Sequence, residues 1–87
     1  MSLTEKEKES VLLMLDLDTD TEVEVIDSLA LEGRTFHKVE IDNNEYIVRT
    51  DGYDTDIAGN DNDRHMSSVK DCWEWVEAEF SLENPQA

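Results

Sequence analysis

The chain has 87 residues, and its 7 Lys and Arg face 23 Asp and Glu, leaving a formal charge of −16. That size sets one small domain with a thin core, and hydrophobic residues at 38%, gathered in periodic blocks, argue for folding rather than disorder. The charge excludes direct nucleic-acid binding and attachment to anionic membranes, both of which draw their affinity from Lys and Arg.

Residues 2–17, SLTEKEKESVLLMLDL, read as a helix, because Ser2 with Glu5 and Thr4 with Glu7 both have capping-box spacing. Its apolar run from Val11 to Leu15 covers all sides of a helix, so this segment is either sandwiched in the fold or turned toward another chain. Residues 18–31, DTDTEVEVIDSLAL, carry two patterns. Val23 and Val25 alternate like a strand, while Val23, Ile26 and Ala30 follow helical spacing, with Asp20 as a cap and Gly33 as a stop, and the segment is expected to form a second helix.

Residues 36–49, FHKVEIDNNEYIVR, predict a β-hairpin turning at Asn43 and Asn44, which would pair Ile41 with Tyr46, Glu40 with Ile47 and Val39 with Val48. Val39, Ile41, Tyr46 and Val48 then share a buried face, and the other face is polar. Tyr53, Thr55 and Ile57 extend the sheet by a short third strand, and YDTDIAGNDND over residues 53–63 continues it as an acidic loop. Residues 67–82, SSVKDCWEWVEAEFSL, predict a helix started by Ser67 or Ser68, whose stripe of Val69, Trp73, Val76 and Phe80 would lie on the hairpin's apolar face. Trp75 points elsewhere, either onto the first helix or into solvent as a contact anchor. Residues 83–87 read as a frayed tail. The expected fold is α+β in one domain: one or two N-terminal helices, an antiparallel sheet of two or three strands, and a C-terminal helix packed on the sheet.

The residues that could carry chemistry are few. His37 and His65 have no nucleophile and base marked beside them, Cys72 falls inside a helix, and Gly33, Gly52 and Gly59 form no phosphate loop, so no enzyme and no cofactor is expected. One Cys, no leader and no long apolar run predict a soluble cytoplasmic protein. The segment DLDTDTEVEVID resembles an EF-hand or dockerin calcium loop, with Asp16, Asp18, Asp20 and Asp27 as candidate ligands. It departs from that pattern at Thr21, where the loop needs Gly, and at Asp27, where the EF-hand has Glu. The stretch over residues 53–63 fits a metal loop less well, since Ala58 lacks a ligand and His65 stands in place of a carboxylate.

A third reading takes the carboxylates as a surface. Alternate strand residues and helix neighbours at i+3 and i+4 space side chains about 5 to 7 Å apart, of the order of phosphate separations, so Glu40, Asp42, Glu45, Asp54, Asp56, Asp61 and Asp63, supported by Glu74 and Glu77 and anchored by Trp75, could occupy a basic groove. In size, charge and order of elements, with EIDNNEYIV, an acidic loop and DCWEWVEAEF across residues 36–80, the chain resembles the small acidic phage-encoded inhibitors of host defence, the anti-CRISPR and anti-restriction DNA mimics. The resemblance implies a non-enzymatic inhibitor, monomeric or homodimeric, acting in the host cytoplasm. Its partner would be a basic nucleic-acid-binding protein such as a CRISPR effector, a restriction enzyme or another DNA-processing enzyme. Adaptation to high salt is the competing account of the same acidity. Against it, of the seven bases only Arg64 and Lys70 lie beyond Arg49, so the charge is concentrated rather than spread.

Overall fold

A computed structural model describes residues 3–59 and 69–83. The chain runs α1 (Glu5–Met14), β1 (Glu24–Leu31), β2 (Arg34–Ile41), β3 (Asn44–Thr50), β4 (Thr55–Gly59) and α2 (Val69–Glu83). The strands form one antiparallel sheet in the order β1-β2-β3-β4, so the architecture is the expected α+β with four strands rather than two or three.

Of the two capping boxes in the sequence, the second starts α1. The Glu7 N–H donates to Thr4 Oγ1 at 3.1 Å and the Thr4 N–H donates to Glu7 Oε1 at 2.9 Å, satisfying two donors that a helix start leaves open. The helix closes at Met14, three residues short of the expected end. Asp16 adopts φ +60, and the Leu17 N–H turns back to the Leu12 carbonyl at 2.9 Å, a left-handed C-terminal closure. From the apolar run only Val11 and Leu12 are buried; Leu13 and Met14 face outward.

The second helix expected over residues 18–31 is instead strand β1. Its register against β2 slips between Val25 and Asp27, a bulge that inserts Ile26. Before the bulge Val25 shares a sheet face with Val39; after it Ser28 and Ala30 take that face and Leu29 and Leu31 take the other. The bulge therefore breaks the two-residue alternation and leaves the three-and-four spacing that imitates a helix.

The β2–β3 turn also moves. Asp42 and Asn43, at φ +55 and +67, form the two-residue turn in place of Asn43 and Asn44, and the pairs become Ile41 with Asn44, Glu40 with Glu45, Val39 with Tyr46 and Lys38 with Ile47. Moving the turn by one residue slides both strands together, so Val39, Ile41, Tyr46 and Val48 still share a face. β4 pairs Thr55 with Thr50, Asp56 with Arg49 and Ile57 with Val48, which supplies the expected additional strand.

Each face of the sheet carries its own core. On one, α1 brings Val11 and Leu12 against Val39, Ile41 and Val48, closed by Leu3 and Val23. On the other, α2 brings Val69, Cys72, Trp73 and Val76 against Leu31, Phe36 and Ile47. The C-terminal stripe thus packs opposite to the expected face, because Phe36, Ile47 and the post-bulge Leu29 and Leu31 make a second apolar surface that a simple half-polar hairpin lacks. Glu83 is helix rather than tail, and its carboxylate accepts the Glu32 N–H at 2.9 Å, tying the end of α2 to the β1–β2 turn. Ser67 and Ser68, expected as caps, and residues 84–87 lie outside the described residues. Among the described residues no helix is long and apolar enough to cross a membrane.

Candidate functional site

Strand alternation sorts the hairpin acids. Val39 and Ile41 point to the α1 core, so Glu40 between them points to the opposite face, beyond the area that α2 covers. Glu24 and Glu45 are its direct cross-strand partners. Three carboxylates therefore stand side by side on β1, β2 and β3, on strands about 4.8 Å apart. Glu24 and Glu45 are exposed and Glu40 is half-buried between them. Like charges set directly opposite one another in a sheet are destabilising.

The end of this row opens into a shallow groove of about 270 Å³ lined by Thr21, Glu22, Glu24, Glu40, Asp42 and Asn43. The rigid turn holds Asp42 there, since its positive φ is fixed by the two-residue connection. Lys38 is the nearest base along the strand, two residues from Glu40. Among the described residues none of the row or groove carboxylates forms an ion pair; the ion pair found there joins Arg49 to Asp56 at 3.3 Å.

The other expected contact residues separate into three groups. Asp56 is engaged, its carboxylate accepting from Arg49 and from the Ile57 N–H, so it offers little uncompensated charge. Asp54 lies on the β3–β4 turn beside α1, away from the row. Asp61 and Asp63 lie outside the described residues. Glu74 and Glu77 are exposed on α2, which covers the same sheet face as the row, so they belong to the same side of the molecule. Trp75 does not reach α1, which sits behind the sheet. It packs edge-on against Phe36 at 5.9 Å between ring centroids and 75° between planes, and remains 41% exposed. Phe36 in turn carries the Arg34 guanidinium over its ring at 5.5 Å.

Glu22 and Glu24 belong to the acidic surface that the sequence offers but not to the expected contact residues. Their place beside Glu40 depends on which strand β1 pairs with. As for calcium, Asp16, Asp18 and Asp20 lie in the α1–β1 connection while Asp27 lies in β1 beside Lys38, and among the described residues no three His, Cys, Asp or Glu converge as a metal-binding group.

His37 is buried on the α1 side of the sheet. Its Nδ1 is 2.8 Å from Ser28 Oγ and its Nε2 is 3.5 Å from Thr50 Oγ1, a polar cross-strand bridge inside an apolar layer. Burial lowers its pKa below 6.5, against an opposing pull from Glu7. His65 lies outside the described residues, and Cys72 is buried in the α2 core. No family model, curated protein or solved structure matches the chain.

Proposed function

We propose that the protein is a non-enzymatic inhibitor that enters the nucleic-acid groove of a basic host protein and presents carboxylates where phosphates would lie. The observation that carries this reading is the row of Glu24, Glu40 and Glu45, in register on three strands and without a cation paired to it among the described residues. Such a row costs the fold stability and repays nothing within it. A basic groove reverses the sign: each carboxylate that meets a Lys or Arg replaces a repulsion by an attraction, and the summed field of −16 steers the approach.

The sheet supplies what mimicry requires beyond charge. Carboxylates on adjacent strands keep fixed separations, because the backbone hydrogen bonds and the cores on the two faces of the sheet hold the strands in register. The Asp42–Asn43 turn extends the array past the strand ends, and Glu74 and Glu77 on α2 widen it on the same side. Trp75, clamped by Phe36, provides an apolar contact beside the charged surface. The likeness to phage-encoded inhibitors points to CRISPR effectors and restriction enzymes in the host cytoplasm as targets.

The test uses purified CRISPR effectors and restriction enzymes immobilised in turn, with this protein as analyte and duplex DNA as competitor. Binding should weaken steeply between 50 and 500 mM salt, compete with DNA, and disappear in the Glu24→Lys, Glu40→Lys, Glu45→Lys triple variant while its melting curve stays cooperative. Undiminished binding by the folded triple variant refutes the assignment.

A further inference from the structure

A second cleft lies on the opposite side of the sheet, between α1 and the β3–β4 turn. It encloses about 350 Å³, with Met14 and Tyr53 among its walls and Lys6, Glu7, Asp54 and Thr55 around them. Tyr53 is 96% exposed, so its ring contributes nothing to either core. The turn that carries it is nevertheless well defined. Asp51 Oδ1 accepts the Asp54 N–H at 2.8 Å and the Tyr53 N–H at 3.0 Å, the Asp51 N–H donates to the Asp54 carbonyl at 3.3 Å, and Gly52 takes φ +94, a conformation that suits glycine. Those two donors hold the Asp51 carboxyl below its usual range. A large aromatic fixed on a tight turn and left in water has the character of a contact anchor.

We infer that this cleft receives an arginine side chain from a protein partner, with the Tyr53 ring and Met14 against its methylenes and guanidinium plane, and Glu7 and Asp54 against its charge. Charge complementarity selects that occupant. Glu7 and Asp54 outweigh Lys6 by one negative charge inside the cleft, and the chain as a whole carries −16, so an acidic segment or a second copy of this chain is repelled. A neutral apolar segment would leave the Asp54 carboxylate, and the Glu7 oxygen not engaged by the Thr4 N–H, facing apolar surface. Arginine satisfies both parts of the lining, since its stem covers apolar surface while its planar head stacks on an aromatic ring and pairs with carboxylates. The cleft and the carboxylate row lie on opposite sides of the sheet, so this inference does not depend on the row's function.

The probe is an N-acetylated, C-amidated tri-arginine peptide titrated into 15N-labelled protein, with a tri-lysine peptide in parallel. The expected result is a saturable shift of the amides of residues 52–55 and of Glu7 and Met14. Affinity read from those amides should fall about fivefold or more in Tyr53→Ala, hold in Tyr53→Phe, and be weaker for tri-lysine. Because Tyr53 is exposed, the alanine variant keeps the fold, which its unchanged spectrum elsewhere will verify. The Glu24→Gln, Glu40→Gln, Glu45→Gln variant should leave these shifts in place, which separates failure here from failure of the mimic. Equal affinity of parent and Tyr53→Ala at the cleft amides, or shifts confined to residues 22–45, overturns the inference.

Discussion

Replacing Glu40 by Gln should stabilise the domain while weakening its interaction with a basic target. Glu40 stands between Glu24 and Glu45, so the substitution removes two like-charge pairs and adds no bulk. Cross-strand side chains at such positions bring carboxylates to within about 6 Å, where two unit charges repel by about 0.7 kcal/mol in a water-like dielectric. Two pairs give about 1.4 kcal/mol unscreened; with Debye lengths of about 30 Å at 10 mM salt and 3 Å at 1 M, the gain is about 1 kcal/mol in dilute buffer and about 0.2 kcal/mol in concentrated salt. Urea denaturation at both salt concentrations measures it. With an m-value of about 1 to 2 kcal/mol/M, the midpoint of Glu40→Gln should lie about 0.5 to 1 M above the parent at 10 mM salt and nearly coincide with it at 1 M. An equal or lower midpoint in dilute buffer would show that the three carboxylates do not feel one another, and the case for a strained acidic row would fall with it.

Two further outcomes follow from the cores. Ile47→Ala, at a fully buried position on the face that a half-polar hairpin would leave to solvent, should cost about 2 to 5 kcal/mol, read as a lowered midpoint by circular dichroism; a change within 0.5 kcal/mol would contradict the packing of α2 there. His37 has its pKa lowered in the folded state, so the unfolded chain binds the additional proton. Its contribution to stability is therefore complete above the unfolded value of 6.5 and is lost as pH falls through it toward the lowered folded value, and the parent's urea midpoint should decline from pH 7.5 to 5.5 with a slope that His37→Asn reduces.

What the sequence disclosed depended on how local the signal was. The capping box of Thr4 and Glu7, the inward stripe of α2 and the shared face of Val39, Ile41, Tyr46 and Val48 were legible because each depends on residues a few positions apart. The turn falls one residue earlier than the sequence predicts because Asp42, Asn43 and Asn44 all tolerate positive φ, and the choice among them lies in the pairing beyond. The β1 segment reads as a helix because the bulge at Ile26 rewrites its periodicity, and a bulge has no composition of its own. The candidate site was half visible: Glu40, Asp42 and Glu45 follow from the hairpin, whereas Glu22 and Glu24 join them only through a long-range partner. Asp56 looked free in the sequence and is paired with Arg49, whose distance along the chain hides a direct cross-strand contact.

The order β1-β2-β3-β4 has a kinetic consequence. Every strand pairs with the one that follows it in the chain, so each step of sheet formation closes a short loop. An unfolded chain with a formal charge of −16 is swollen by its own repulsion, and contacts between distant segments are correspondingly rare. A topology that relied on such contacts would fold slowly and expose its strand edges while waiting. A meander assembles hairpin by hairpin instead, so a chain with this order of strands can carry a heavy acidic load on its surface without making the search for its own fold much longer.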